Sequence, residues 1–570
     1  MKLIITEKPS VALDIAKVMG IKTKKNGFYI GNGYIITWCA GHLLTLAEPN
    51  DYDKRFKSWN ISHLPIVPNK FKYKVSDGKS DRVLVIKNLL AREDVTEIIN
   101  ACDAGREGEL IFGEIYNNTK NKKPVKRLWI SSLEASAIKK GFEDLKDGKE
   151  YENLYEAAFC RQKADWMVGI NGTRLFTKLY GGELLNVGRV VTPTLALIVD
   201  RQKAIDDFIK EPIYSIEMID GDLKAFYEDR KMKDKNKALE ILKACEGNLA
   251  TVTNVKKTKK FENAPKLFDL TTLQRLANKM FKYTADKTLA IAQSLYEKKL
   301  ITYPRTDSRF LTSDMEKNAL DLLEILSIEN INIKQVINNK KVSDHHAIIP
   351  TKNGLKDILK ISTDERNILE VIKTRFASAV SPRFEYQETV IIFDCNSNKF
   401  LATGKAIIKL GFKEIEPDNT KEIFLPNLNK GDILENPQFE LKEGETTPPK
   451  PYTENTLLAT MENVNKADFD SDVERKGIGT PATRASIIEK LVRSSFIKRE
   501  KNNLLPTPKG VHTILILPDS IKSPLLTAEW ENALKKVERG ESTPEQFMES
   551  IKSFVFDIVK KEREGLTKMD

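Results

Sequence analysis

A chain of 570 residues, 41% apolar and 30% charged, is built for several packed domains and excludes an intrinsically disordered protein. Its formal net charge of +11 points to a polyanionic partner, nucleic acid first. The cysteines Cys39, Cys102, Cys160, Cys245 and Cys395 form no CxxC pair, which argues against a zinc ribbon or disulfide framework. The absence of a signal-like or membrane-spanning apolar run leads us to expect a soluble, cytoplasmic protein.

The first element is a strand at Leu3–Ile5. Glu7, Lys8 and Pro9 follow it, and Ser10 is placed to cap a helix Val11–Met19. Gly31–Leu46 reads as a hairpin or pair of strands, and its His42, with no second ligand nearby, as a core or surface histidine. The stretch Ile98–Tyr116 runs from a short apolar strand through Asp103-Ala-Gly105 into a helix packed by Leu110, Ile111 and Ile115. Asp103 and Glu107 thus sit at or just past the strand's C-terminal end, where an open α/β sheet places its chemistry. Carboxylates there suit Mg²⁺, and they equally suit a helix N-terminus, which favours negative charge; the residues alone leave both readings open. Glu109, two residues on, need not face the same way. Glu7 also directly follows a strand, so in a parallel sheet it would share one crevice with Asp103. A basic loop Lys120–Arg127, a strand Leu128–Ile130 and a helix from Leu133, capped by Ser131 or Ser132, close an α/β unit near Gly148.

Tyr151–Tyr180 is helical, with Arg161, Lys163 and Arg174 around an apolar face of Trp166, Met167 and Ile170. After Gly181-Gly182, the Gly188-Arg189 pair leads to a helix from about Pro193 with Thr192 as cap, either a phosphate seat or an ordinary helix start. From Tyr214 the apolar period changes to two, through Tyr214, Ile216 and Met218 and again over Thr251–Val255. Arg230–Lys237 reads as solvated surface, whereas the lysines 256–260 stay open between DNA contact and surface. A capping box of Thr271 and Gln274 opens Leu273–Phe281, and Thr284 caps Ala285–Lys298. Helices continue to Phe376, and alternating strands return at Phe384–Phe393 and Phe400–Leu410. The β-rich material therefore flanks a helical block, as in an arch that leads out and back. Thr480-Pro481 caps Ala482–Val492, a two-stranded wing follows at Phe496–Lys498 and Leu504–Pro506, and Thr527 caps a helix with Trp530 and Glu531. Thr543 and Gln546 box the start of the last helix.

Tyr303 follows the helix Ala285–Lys298 and precedes Pro304, whose fixed φ and missing N–H stiffen the segment. A tyrosine hydroxyl is a weak nucleophile that needs deprotonation help, and Arg305 offers a fork for phosphate oxygens. The plain alternative is a packed Tyr303 with Arg305 paired to Asp307, and the residues by themselves favour it.

Six motifs change that balance: IITEKPS (4–10), ACDAGREGEL (101–110), LNVGRVVTPTL (185–195), ITYPRTDS (301–308), HHAIIPT (345–351) and GIGTPATRASII (477–488). In order and spacing they resemble the type IA DNA topoisomerases, in particular the bacterial topoisomerase III group, over essentially the whole chain. The resemblance implies a multidomain α/β and α+β toroid: an N-terminal Toprim α/β domain (1–150), a β-rich arch in two segments (214–268 and 383–470), a helical domain carrying the tyrosine (269–382), and a helical DNA-binding domain with a winged-helix-like part, also in two segments (151–213 and 471–570). It implies that Tyr303 attacks single-stranded DNA to give a 5′-phosphotyrosine, with Arg305 and Lys8 on the phosphate, Glu7 exchanging the 3′-hydroxyl proton and His345 hydrogen-bonding the scissile phosphate. Glu7, Asp103 and Glu107 match metal positions for Mg²⁺, and Arg189, Thr480 and Arg484, with the helix arginines Arg161 and Arg174, match or neighbour DNA-facing segments. Many relatives carry a third acid where this chain has Gly105, so a single, weakly held Mg²⁺ is expected. The implied activity is ATP-independent relaxation of negative supercoils and decatenation, and no GxxxxGK[ST] loop is present. The implied setting is a nucleoid-associated monomer working with a helicase or single-strand-binding protein, with modest duplex retention because no C-terminal zinc ribbon is present. A Toprim nuclease or primase, or an inactive DNA-binding scaffold, would leave ITYPRTDS and HHAIIPT unexplained.

Overall fold

The structure, a computed structural model, describes residues 1–119, 121–130, 133, 135–181, 183–342, 345–355, 361–464 and 477–567. Lys120, Gly182 and the caps expected at Ser131 or Ser132 lie outside the described residues.

The N-terminal sheet is built around Lys2–Thr6, flanked by parallel strands Tyr34–Trp38 and Glu97–Ala101, with Val125–Arg127 parallel beyond the latter. Leu3, Ile4 and Ile5 are all fully buried, the continuous apolar run of a strand covered on both faces. Ile4, Ile36 and Ile99 pack under the helix Pro9–Val18; Leu3, Ile5 and Ile98 pack under Ser80–Ala91 and Arg106–Asn117. Thr6 stands opposite Ala101, so Glu7 and Asp103 leave neighbouring carboxyl ends.

The second sheet is antiparallel and interlaces the two β-rich stretches. Its order is Ile433–Leu434, Ala250–Glu262, Phe384–Cys395, Asn398–Lys409, Leu223–Tyr227, Pro212–Asp220 and Gln438–Glu445. The strand that leads into the helical block and the one that returns from it are paired along their length, with Glu262 opposite Phe384. Beyond Val252 the outer side of Ala250–Glu262 is an edge among the described residues. Its lysines blunt that edge against pairing, with Lys259 on Glu385 (2.7 Å) and Lys260 on Glu388 (2.5 Å). Lys233 and Lys235 form surface pairs with Glu211 and Glu443.

The long helix Glu152–Tyr180 packs on Pro524–Glu538 and Pro544–Thr567. The helix Val191–Asp206 shares a core with Pro481–Arg493 and the strands Tyr452–Thr453, Ile497–Glu500 and Asn503–Pro506. A continuous core joins the N-terminal sheet to the helical block, from Ile4 and Ile15 to Leu295, Leu300, Tyr303 and Ile348.

Several helix starts differ from expectation. Pro9 starts the first helix directly after Lys8, which leaves Ser10 in its first turn. Asp269, not Thr271, caps Leu270–Phe281. Ser523 caps Pro524–Glu538, and Thr527 is buried inside it, its hydroxyl donating to the Arg189 carbonyl at 2.7 Å. The helix expected from Pro193 starts at Val191, and Thr192 accepts a hydrogen bond from Gly188 N–H at 3.1 Å. Thr284, Thr480 and the Thr543–Gln546 box cap as expected. Among the described residues no helix is long and apolar enough to cross a membrane.

Candidate active site

The strand end that carries Asp103 is fixed by Arg127, a fully buried guanidinium. It donates to the carbonyls of Asn100 (3.2 Å), Cys102 (2.7 Å), Asp103 (2.9 Å) and Leu128 (2.7 Å), and pairs with the Glu109 carboxylate. Glu109 also accepts from the Asn100 amide at 3.0 Å, so it turns into the core and away from Asp103. Gly108 is required here: a Cβ on it would lie 1.9 Å from the Asp103 carbonyl oxygen. Gly105 adopts φ +141°, a backbone that side-chain-bearing residues rarely take, so the position where relatives carry a third acid is shaped for glycine.

The tyrosine segment and HHAIIPT run side by side. Thr302 N–H donates to the Ile349 carbonyl at 3.0 Å, and the Thr302 hydroxyl bridges to Ala347 and to Ile349 N–H. The Thr306 hydroxyl donates to the His345 carbonyl at 2.9 Å. This ladder presses the Tyr303 ring against His345, centroids 4.3 Å apart, and edge-on against Tyr296 at 5.3 Å.

Tyr303 meets the strand ends through Lys8, whose Nζ lies 3.3 Å from Asp103, 3.9 Å from Glu7 and 5.8 Å from the Tyr303 ring centroid. Burial, with Asp103 and Glu7 nearby, pushes the Tyr303 hydroxyl well above its usual range. Burial beside Asp103 pushes the Glu7 carboxyl up to about 7. His345 Nε2 donates to the Ala104 carbonyl at 2.6 Å, and burial lowers the ring to about 4, so Nδ1 is bare. That Nδ1 and the Nε of Arg305 are buried with no hydrogen-bond partner among the described residues, an unusual state for buried polar atoms.

These groups open on a cavity of about 590 Å³. Its lining includes Glu7, Asp103, Glu107, Tyr303, Arg305 and His345 from this side, and Arg161, Thr480 and Arg484 from the others. Arg484 is buried, donating to the Thr271 hydroxyl at 2.9 Å and the Ile478 carbonyl at 3.1 Å. Arg189 is also buried, held by Asp165 at 2.9 Å and Glu531 at 3.0 Å. Arg174 is not brought to the cavity; it donates to the Phe56 carbonyl at 2.7 Å beside Trp59.

His42, read from sequence as a core or surface histidine, lines the cavity instead. Its Nδ1 faces Glu114 at 3.0 Å and its Nε2 faces Glu107 at 3.8 Å. Burial opposes its charge, yet the two carboxylates, Glu107 and the hydrogen-bonded Glu114, raise it to about 10. In turn, His42 holds the Glu107 carboxyl below its usual range. The available signal was topological: His42 follows a strand parallel to and beside the first, as Asp103 does on the other side.

A hard divalent cation suits this donor set. Glu7 and Asp103 are neighbouring carboxylates, and Glu7 is raised first by burial and then by the charge of Asp103 beside it. Among the described residues no three such side chains are gathered into a preformed cation site. Lys8 supplies the positive charge between the two acids, and Glu107 is engaged with His42.

Residues 149–549 match the DNA topoisomerase family and residues 2–133 match the Toprim domain. DNA topoisomerase 3 of Bacillus subtilis (strain 168) is 40% identical over 98% of this chain and 81% of its own length. The Bacillus thuringiensis (strain Al Hakam) protein of the same name is 39% identical with the same coverage. The structure of full-length topoisomerase I from Thermotoga maritima superposes with a TM-score of 0.76 at 24% identity, over 98% of this chain and 90% of that one. That last likeness speaks for the fold: a Toprim domain at the N-terminus of a toroid.

Proposed function

The chain belongs to the type IA DNA topoisomerases, whose activity is strand passage by transesterification, and we propose that Tyr303 is the nucleophile that opens a single strand of DNA in this cavity. The observation that carries the reading is the meeting of Tyr303 with Lys8, Asp103 and Glu7 beneath two unsatisfied polar atoms, Arg305 Nε and His345 Nδ1. A backbone phosphate seated there would accept from Arg305. It would also favour a proton on His345 Nδ1, which then donates to it.

In the forward step Tyr303 Oη bonds to phosphorus and the P–O3′ bond breaks. The Asp103 carboxylate, facing the hydroxyl, receives the phenolic proton. The electron pair of the broken bond goes to the 3′ oxygen, which takes a proton from Glu7, a carboxyl poised near neutral pH for giving and reclaiming one. Religation is the reverse, and the phosphotyrosine keeps the energy of the phosphodiester, so no nucleotide is consumed. Mg²⁺, when bound, would supply charge neutralisation at the phosphate; Glu7, Asp103 and Glu107 are the carboxylates that would hold it.

Shared cores support domain boundaries at 150, 213, 268 and 382; the boundary expected at 470 lies outside the described residues, and Tyr452, Leu457, Leu458 and Met461 before it pack with the helices Val191–Asp206 and Pro481–Arg493 and not with the antiparallel sheet. Helix Val191–Asp206 packs with residues 452–514, and helix Glu152–Tyr180 with residues 530–555. Opening the ring for a second strand would part His345 from Ala104 and Lys299 from Asp14 (2.7 Å), with the antiparallel sheet as hinge. Relaxation of negative supercoils and decatenation then follow from single-strand passage.

The test is covalent trapping. Wild type and Tyr303→Phe are incubated with 3′-labelled single-stranded DNA, quenched with detergent and run on a denaturing gel. A labelled adduct from wild type alone is expected. Released ends without an adduct would sink the reading in favour of a nuclease.

A further inference from the structure

Behind the cavity lining, one buried carboxylate gathers arginines from three separate segments. Glu531, 5% exposed on the helix Pro524–Glu538, lies 3.0 Å from Arg189, 3.7 Å from Arg161 and 3.4 Å from Arg106. Arg106 belongs to the helix after Asp103, Arg161 to the long helix and Arg189 to the GRVV segment. The same helix anchors the Arg189 backbone through Thr527 and reaches Arg106 again through Glu538 at 2.7 Å.

An acid buried beside a polyanion site works against binding unless it supplies something in return. Here it supplies order. Arginine side chains lose much rotamer freedom on binding, and guanidinium recognition of phosphate depends on the direction of its fork. Arg161 reaches the carboxylates through Nε, and its two terminal nitrogens make no hydrogen bond among the described residues; it and Arg106 line the cavity. Arg189 keeps one terminal nitrogen, Nη2, buried and unpartnered. Arg161 thus presents free donors to the cavity after Glu531 is satisfied, and the buried Arg189 keeps one in reserve behind it.

We propose that Glu531 is a positioning residue for the DNA backbone: it does not touch the strand but holds the cavity-lining Arg106 and Arg161, braced by the buried Arg189 behind them, as one preset phosphate-receiving array. This rests on the reading that single-stranded DNA occupies the cavity. It has a consequence opposite in sign to simple charge counting. Removing this negative charge weakens the hold on a polyanion.

The experiment measures binding of a fluorescent oligothymidylate to the full chain in EDTA over a salt series, for the parent, Glu531→Gln, Glu531→Asp and Glu538→Gln. Glu531→Gln is expected to bind about tenfold more weakly, with a salt slope shallower by about 0.7 for each phosphate it no longer neutralises. Glu531→Asp keeps the charge but retracts it by one methylene, and is expected to lose affinity as well. Glu538→Gln, which loosens Arg106 alone and leaves Arg161 and Arg189 on Glu531, is expected to lose clearly less affinity than Glu531→Gln. Partial unfolding of a variant lowers the amount of DNA bound at saturation, not the slope, so the slope decides even for a destabilised protein. Parent-like slope and affinity in both Glu531 variants, or the same loss in Glu538→Gln, overturns the positioning role. A parent that fails to bind the oligonucleotide overturns the occupancy reading, and the inference with it.

Discussion

The two walls of the cavity are made of similar residues and finished differently. On the tyrosine wall, Arg305 and His345 each keep a buried polar atom with no partner, and Glu7 and Tyr303 are pushed up by burial. On the arginine wall, Glu531 is drawn well below its usual range; burial resists this, but Arg161, Arg189 and Arg106 prevail. On the first wall the ionisable groups are left without matching charge; on the second they are matched charge for charge, although Arg189 Nη2 there also lacks a partner among the described residues. Chemistry belongs to the first, because an unsatisfied donor or a carboxyl near neutrality is free to change partners. Holding belongs to the second.

The first wall can stay unmatched only because its backing is saturated, and Arg127 is that backing. Arg127→Met would strand the Glu109 carboxylate and the carbonyls of Asn100, Cys102 and Asp103. Breaking a buried pair from one side costs about 3–5 kcal/mol, and that loss is expected in urea unfolding of the purified chain. Adding Glu109→Gln to the same protein should recover part of it, since the uncompensated charge is then gone. A variant as stable as the parent would mean that the strand end holds itself.

A smaller effect tests whether the third acid is missing by accident or by shape. Gly105 sits at φ +141°, so Gly105→Asp places a side chain in a strained backbone at a cost of about 1–3 kcal/mol. The expected result is lower stability with no gain in Mg²⁺ affinity by calorimetry. Tighter Mg²⁺ binding at unchanged stability would show that the loop tolerates the acid, and that the two-carboxylate site lacks it for some other reason.

How far the sequence could be read follows the same division. Glu7 and Asp103 were legible as strand-end acids because parallel strands are continuous apolar runs and the crevice lies at their carboxyl ends. Tyr303 and His345 were legible only through family resemblance, since nothing local in ITYPRTDS says that HHAIIPT lies beside it. His42 was missed because its partners, Glu107 and Glu114, stand on another element 65 and 72 positions away. Glu531 carried no motif at all, being one acid in a charged helix. Arg174 looked like its neighbour Arg161 in the pattern, yet lies on a face of the long helix that packs on Phe56. The interlacing of the two β-rich stretches was likewise invisible, because a period of two tells which face a residue takes and not which strand it pairs with.

The smallest expected effect lies outside both walls and marks where the comparison ends. Glu365 caps the helix Thr363–Val380 and holds Lys298, at the end of the helix that leads to Tyr303. Burial works against its charge, but Lys298, Ser294 and the Ser362 backbone lower it to about 2. A carboxylate depressed in the folded state contributes stability that is present above its unfolded pKa of about 4.3. That stability is lost as pH falls through the folded value. Glu365→Gln should therefore flatten the acid limb of a stability–pH profile between about pH 4.3 and 2, measured by thermal melting. Trapping by Tyr303 at neutral pH should be unchanged, because neither unsatisfied atom of the tyrosine wall touches this pair. A loss of trapping in a folded Glu365→Gln protein would mean that the seat of Tyr303 is set by the helix before it as much as by the ladder with HHAIIPT.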